Sequence, residues 1–162
     1  MRRATGEVIA FLDADDLWPA YSLQRRLHRL VENPQLAGVF GRVQAFISPD
    51  VGEEERRLLD AAPAPLAGRL AGALLLLRDV FDRVGSFDTA FTVGETLDWI
   101  ARAEELAVPM AEVDAVVLRR RIHRSNTVRK TQCLQADYLR LLRASLVRRR
   151  ATVAGSPETA QP

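Results

Sequence analysis

Residues Thr5 to Pro19 read TGEVIAFLDADDLWP. Within them, Glu7 to Leu12 is a compact apolar run without polar alternation, the pattern of a buried strand of the kind found in parallel sheets. Three carboxylates follow at once: Asp13, Asp15 and Asp16. Ligand sites in open α/β sheets lie beyond the carboxyl ends of strands. Closely spaced carboxylates there can hold a hard divalent cation, Mg²⁺ or Mn²⁺, through oxygen. Such a cation bridges phosphates and offsets the charge on a departing diphosphate. An equally simple account makes Asp16 a helix N-cap with two solvated neighbours.

Working outward, Asp16 and Pro19 mark a helix start, since Pro is tolerated in a first turn. Leu23, Leu27, Leu30 and Val31 keep helical spacing, and Asn33-Pro34 ends the run. Gly38–Ile47 reads as the next strand. Ser48–Pro65, with three prolines and mixed charge blocks, reads as a surface excursion carrying a short helix near Glu53–Ala61. Gly72–Leu77 is expected to be a strand or buried segment, and Arg78–Val84 a short helix closed by Gly85. Phe87–Gly94 reads as loop, Leu97–Leu106 as a helix and Val113–Ile122 as a strand. Thr127–Arg150 is expected to be a long helix, with Leu134, Tyr138, Leu141 and Leu142 on one side.

The 162 residues suit one domain, and 48% hydrophobic with 27% charged residues implies a packed core. A net charge of +2 is too small to indicate nucleic acid. The basic residues are all Arg except Lys130. Arg119 to Arg121 and the arginines from Arg140 to Arg150 make the last third basic, as a solvated face or as a surface for phosphate, anionic lipid or an acidic partner. One cysteine, Cys133, leaves no internal disulfide and suits a reducing compartment. The longest apolar run, Leu70–Leu77, falls far short of the ~20 residues that span a bilayer. The expectation is a cytoplasmic protein able to touch a membrane surface.

The string TGEVIAFLDADDLWP resembles the family-two glycosyltransferases, whose DxD motif follows such a strand. Gly72–Leu77 and then RDVFDRVGSFD, Arg78–Asp88, are similar to that family's acceptor-side segment with its "VGxFD" turn. Gly94-Glu95-Thr96-Leu97-Asp98-Trp99 with Arg102 resembles "GEDxDWxxR", and Arg121-Ile122-His123 with Asn126 resembles "RxH…N". The resemblance runs from about Thr5 to Asn126. It implies an α/β fold: part of a GT-A (Rossmann-like) sheet with flanking helices and a long C-terminal helix. It also implies inverting transfer of a sugar from a nucleotide diphosphate sugar to an acceptor hydroxyl, dependent on Mn²⁺ or Mg²⁺. By the same resemblance Asp15, Asp13 and His123 hold the metal. Asp13 and Asp16 meet the donor, Trp99 and Arg102 the substrate, and Glu95 or Asp98 supplies the base.

The chain departs from that pattern at Thr96, where the family has aspartate, and threonine is no base at neutral pH. Residues 1–150 are expected to form one GT-A-like domain without the family's nucleotide-binding first half, and 151–162 a disordered tail. That incompleteness points to a second copy, or a partner protein supplying the absent half. It also admits a non-catalytic binding module or one half of a split enzyme. A phospho-acceptor site of the receiver kind would need a lysine beside the acids, and Lys130 lies late in the chain. Glu95 read alone is a first-turn acid favoured by the helix dipole. Trp99 read alone is a core residue, and His123 read alone an exposed strand-end histidine.

Overall fold

The structure, a computed structural model, describes residues 4–59, 65–91, 94–123 and 139–148. In chain order it contains β1 (Val8–Ala10), α1 (Ser22–Glu32), β2 (Gly38–Ile47), α2 (Glu53–Leu59) and β3 (Leu66–Ala67). A 3-10 turn (Ala71–Ala73), β4 (Leu75–Leu77), α3 (Arg78–Val84), α4 (Glu95–Glu105) and β5 (Met110–Ile122) follow. Residues 139–148 form a further helical segment. The fold is α/β, with one five-stranded mixed sheet ordered β1-β4-β2-β3 and β5 paired to β2. Of the long helix expected over Thr127–Arg150, only 139–148 lies within the described residues, and the tail 151–162 lies outside them.

The expected strand at Glu7–Leu12 shortens to three residues and pairs antiparallel with β4, not in a parallel ladder. β2 also runs antiparallel to β4. Thus β1 and β2 point the same way with β4 inserted between them, and β5 runs parallel to β2. Hydrophobic residues alone fix burial of such a strand, not the direction of its neighbour.

Each face of the sheet carries helices. On one side Ile9, Phe40, Leu74, Leu76, Val80, Phe81, Trp99 and Ile100 form the main core, under α3 and α4. Arg78–Val84 becomes helix with the expected bounds because Gly85, at φ 88°, closes it with an N–H bond to Phe81 O. A side chain there would be strained, since only glycine takes that backbone readily. On the other side Ala73, Val117 and Leu118 form a smaller core with Trp18, Val43 and Leu70, and α1 packs on β2 and β5.

α1 faces the sheet differently from its hydrophobic spacing. Ser22, Arg26 and Leu30 are buried, whereas Leu23 and Leu27 are partly open and Val31 is 69% exposed. The cause lies in the carbonyls beneath it. Ser22 Oγ donates to Val117 O at 2.6 Å, and Arg26 donates to Gly72 O (3.5 Å), Ser22 O (3.2 Å) and Ser22 Oγ (3.0 Å). The guanidinium lies 5.0 Å from the centre of the Trp18 ring, and Trp18 Nε1 also donates to Gly72 O. Buried carbonyls without donors cost more than an exposed leucine gains by hiding. Tyr21 takes φ 64° just ahead of the helix, at a cost of about 1–2 kcal/mol.

Burial pulls the Arg26 pKa down to about 10. Replacing it with Ala should leave a cavity and cost about 2–4 kcal/mol in urea unfolding. Arg26→Met keeps the volume, and Trp18 still serves Gly72 O, so that variant should lie within about 1 kcal/mol of the parent. Equal losses for the two would show that the charge, not the packing, holds α1.

Candidate functional site

β1, β2 and β5 share one direction, so their carboxyl ends reach the same edge of the sheet, where open α/β folds place ligands. The acids Asp13, Asp15 and Asp16 follow β1, Ser48 and Asp50 follow β2, and His123 follows β5. Ser48 N–H donates to Ile122 O at 2.8 Å and ties the last two ends together.

Four contacts fasten the acidic loop to β5. Leu17 and Arg119 exchange backbone bonds of 3.0 and 2.8 Å. Arg121 N–H donates to Asp16 Oδ1 at 2.9 Å, and Arg121 Nε donates to Asp15 O at 2.8 Å. His123 Nε2 then lies 2.9 Å from Asp15 Oδ2. The loop turns on itself through Asp16 N–H to Asp13 O.

These contacts divide the three acids by task. Asp15 keeps a side chain 42% exposed, and the His123 hydrogen bond, foremost, holds its carboxyl below the usual range against a smaller effect of burial. Asp16 is buried, and that burial pushes its carboxyl up, opposed by the Arg121 N–H bond and reinforced by Asp15 and Asp13. Asp16 is thus a structural acceptor. Asp13 is exposed. Arg119 and Arg121 each set a guanidinium 4.8 Å from the centre of the Phe46 ring, and the Arg120 charge acts on both Asp15 and Asp16.

Among the described residues no group of three or more His, Cys, Asp or Glu stands close enough to hold a metal by itself. Asp15 and His123 converge as a pair. The pair offers a divalent cation one carboxylate and one imidazole, and water and substrate phosphates would have to fill the rest of its shell. The proton shared between Asp15 and His123 is what such a cation would replace, because a metal binds the neutral imidazole.

The expected acceptor-side residues assemble around α4. Glu95 is half-buried in its first turn and accepts from Thr96 Oγ1 at 3.3 Å. Gly94, at φ 93°, starts the helix. Asp98 is 2% exposed and is taken up by two arginines, Arg102 Nε at 2.9 Å and Arg148 Nη1 at 3.2 Å. Arg102 also donates to Val84 O and Ser86 O, clamping the turn after α3. Trp99, expected at a substrate, is placed in the core instead. It is fully buried, stacked on Phe81 at 5.6 Å, and donates to Gly85 O. A ring covered on its face leaves no surface for a sugar.

Phe11 links the two groups. It contacts Phe87 at 5.3 Å and Phe81 at 6.0 Å, and Phe87 contacts Trp99. The residue two places before Asp13 therefore shares a cluster with α4. Sequence reading passed over Ser48 and Asp50. Asp50 is exposed, with its carboxyl held low chiefly by the Ser48 hydrogen bond and further by His123 and Arg121. Their signal was present, since they follow β2 as the acids follow β1. Asn126 lies outside the described residues.

A family model described as Glycosyl transferase family 2 matches residues 1–87, just over half of the 162. The match takes in the acidic loop, Ser48, Asp50 and α3, and it ends before Glu95 and His123. No curated protein matches the chain.

The Asp16 environment has a measurable consequence. A carboxyl raised by burial stabilises the fold at low pH, and that contribution is lost as pH rises from the ordinary carboxylate value through the folded one. Asparagine keeps an acceptor for Arg121 N–H and carries no charge. Asp16→Asn should therefore gain stability over the parent, more at pH ~7 than at pH ~3. Asp16→Ala, which strands that N–H, should lose about 1–3 kcal/mol. Chemical denaturation at both pH values measures this, and a larger gain at the acid end would contradict it.

Proposed function

This chain belongs to glycosyl transferase family 2, and from that premise we propose that it acts in transfer of a sugar from a nucleotide diphosphate sugar to an acceptor hydroxyl, with inversion. The observation that carries this reading is the Asp15–His123 pair, held at the common carboxyl edge of three strands by β5.

Asp15 and His123, with Asp13 beside them, would hold Mn²⁺ or Mg²⁺, which supplies positive charge for the diphosphate as it leaves. Arg120 adds to that field, since its charge acts on both Asp15 and Asp16. Glu95 is the base. Its carboxylate takes the acceptor O–H proton, the acceptor oxygen bonds to the anomeric carbon, and the bond to the diphosphate breaks with its electron pair. Asp98 fits the base role less well than Glu95, because both of its oxygens are engaged by arginines. Asp98 and Arg102 position the acceptor-side turn, and Thr96 orients Glu95. Among the described residues no helix is long and apolar enough to cross a membrane.

A second reading, a non-catalytic binding module, rests on Thr96, which replaces the aspartate of the family pattern and is 5% exposed.

Calorimetry with Mn²⁺ and a panel of nucleoside diphosphates separates the parts. Asp15→Ala and His123→Ala should weaken nucleotide binding only when the metal is present, and equal binding by parent and variants would remove the metal assignment. In turnover with the donor so found, Glu95→Gln should lower kcat by about 10²–10⁴-fold with little change in KM. An unchanged kcat in Glu95→Gln would assign the base to another group, and a parent that binds the nucleotide but turns over no donor would favour the non-catalytic reading.

A further inference from the structure

The helical segment 139–148 turns its polar side inward. Arg148 Nε donates to Glu105 Oε2 at 2.7 Å and Arg148 Nη1 to Asp98 Oδ1, while Ser145 Oγ donates to Glu105 Oε1 at 3.1 Å. Arg140 Nη1 donates to Ala90 O at 2.9 Å. Leu141 Cδ1 lies against Gly94, within 3.6 Å of where a Cβ would stand. The helix thus lies along α4 and is fixed there by hydrogen bonds and ion pairs.

Its opposite side carries leucines. Leu139, Leu142, Leu146 and Val147 are 54%, 57%, 54% and 67% exposed. At 100° per residue these four fall within one sector, which Arg143 shares and Arg140 borders. A helix this polar inside and this apolar outside is reversed relative to a surface helix of a globular protein. Four neighbouring aliphatic side chains held open in water mark a contact surface.

Charge selects the occupant. Arg140 and Arg143 are both exposed on or beside the apolar sector, and Arg149 and Arg150 follow directly in the sequence. Two copies joined face to face about a two-fold axis would bring these cations together. A negatively charged bilayer surface accepts both parts. The leucines enter the boundary between headgroups and acyl chains, and the arginines reach back along their stems to lipid phosphates. We propose that the outward face of helix 139–148, through Leu139, Leu142, Leu146 and Val147 with Arg143, docks on an anionic lipid bilayer and holds the protein there as a peripheral membrane protein. Through Arg148, Asp98 and Arg102, the docked helix connects to α4 and the turn after α3. This inference does not depend on the catalytic roles above.

Co-sedimentation of the full chain with vesicles tests it. Phosphatidylcholine vesicles containing about a third phosphatidylserine should pull the protein down, pure phosphatidylcholine should not, and added salt should weaken the binding. Leu142→Asp with Leu146→Asp should lower the partition coefficient at least about tenfold. Arg143→Glu should lower it severalfold, and Arg143→Lys should restore it. All of these positions are exposed, so the variants should keep the parent's circular dichroism and melting curve. Binding unaffected by these substitutions, or equal on neutral vesicles, would overturn the proposal. So would a dimer in light scattering that the leucine substitutions dissolve while vesicles bind nothing, since the face would then belong to a second copy.

Discussion

The exchange of two backbone hydrogen bonds between Leu17 and Arg119 is the constraint on which the site depends. It joins a loop near the start of the chain to the far end of β5, over a hundred residues away in sequence. Once that bridge exists, Arg121 is within reach of both Asp15 and Asp16, and His123 is carried onto Asp15. Without it, Asp13, Asp15 and Asp16 are three solvated acids on a loop. The bridge itself needs β5 beside β2, because Ser48 and Ile122 close the same edge from the other side.

β5 reaches that position irregularly. Along the ladder Gly38 faces Met110 and Ile47 faces Ile122, so β5 spends three more residues than β2 over the same span, with register shifts at Gly41 and Arg42. Gly41 permits the displacement: a Cβ there would lie 2.4 Å from Val117 Cγ1. An odd number of extra residues exchanges the two faces of a strand. The bulge therefore decides which side chains of the Arg119–His123 run meet the acidic loop. It also leaves the Arg42–Asp114 pair bridging the irregular stretch on the surface.

Arginine recurs where the fold needs a donor that reaches several acceptors at once. Arg26 joins Ser22 of α1 to Gly72 O beneath it, Arg102 joins Asp98 to the turn after α3, and Arg148 joins α4 to helix 139–148. The planar fork with its five N–H groups suits such multiple acceptors. Each of these arginines turns a polar stripe of a helix inward, and in α1 and 139–148 the aliphatic side chains are correspondingly displaced outward. The skew of the composition toward Arg has, in part, a structural use.

The sequence alone determined the α/β class, the bounds of β2 and α3, and the placement of acids directly after a strand. These are set by local periodicity, by Gly85 at a helix end and by the Asp13–Asp16 spacing, all within a few residues. It also marked His123 and the α4 segment. Read alone it placed Trp99 in the core, against the resemblance, but it could not say that Asp98 is held by two arginines, since Arg148 comes from a distant part of the chain. Nor could it turn α1 correctly, because hydrophobic spacing records which residues are apolar and not which buried carbonyls require donors. Only the tertiary structure set the direction of β4 between β1 and β2 and the three-residue excess of β5, and it supplied the direct contact between Asp15 and His123, which the resemblance had placed at one site. Those depend on strand pairing between remote segments, where the energy comes from hydrogen bonds that any residue can make and that leave no signature in side-chain identity.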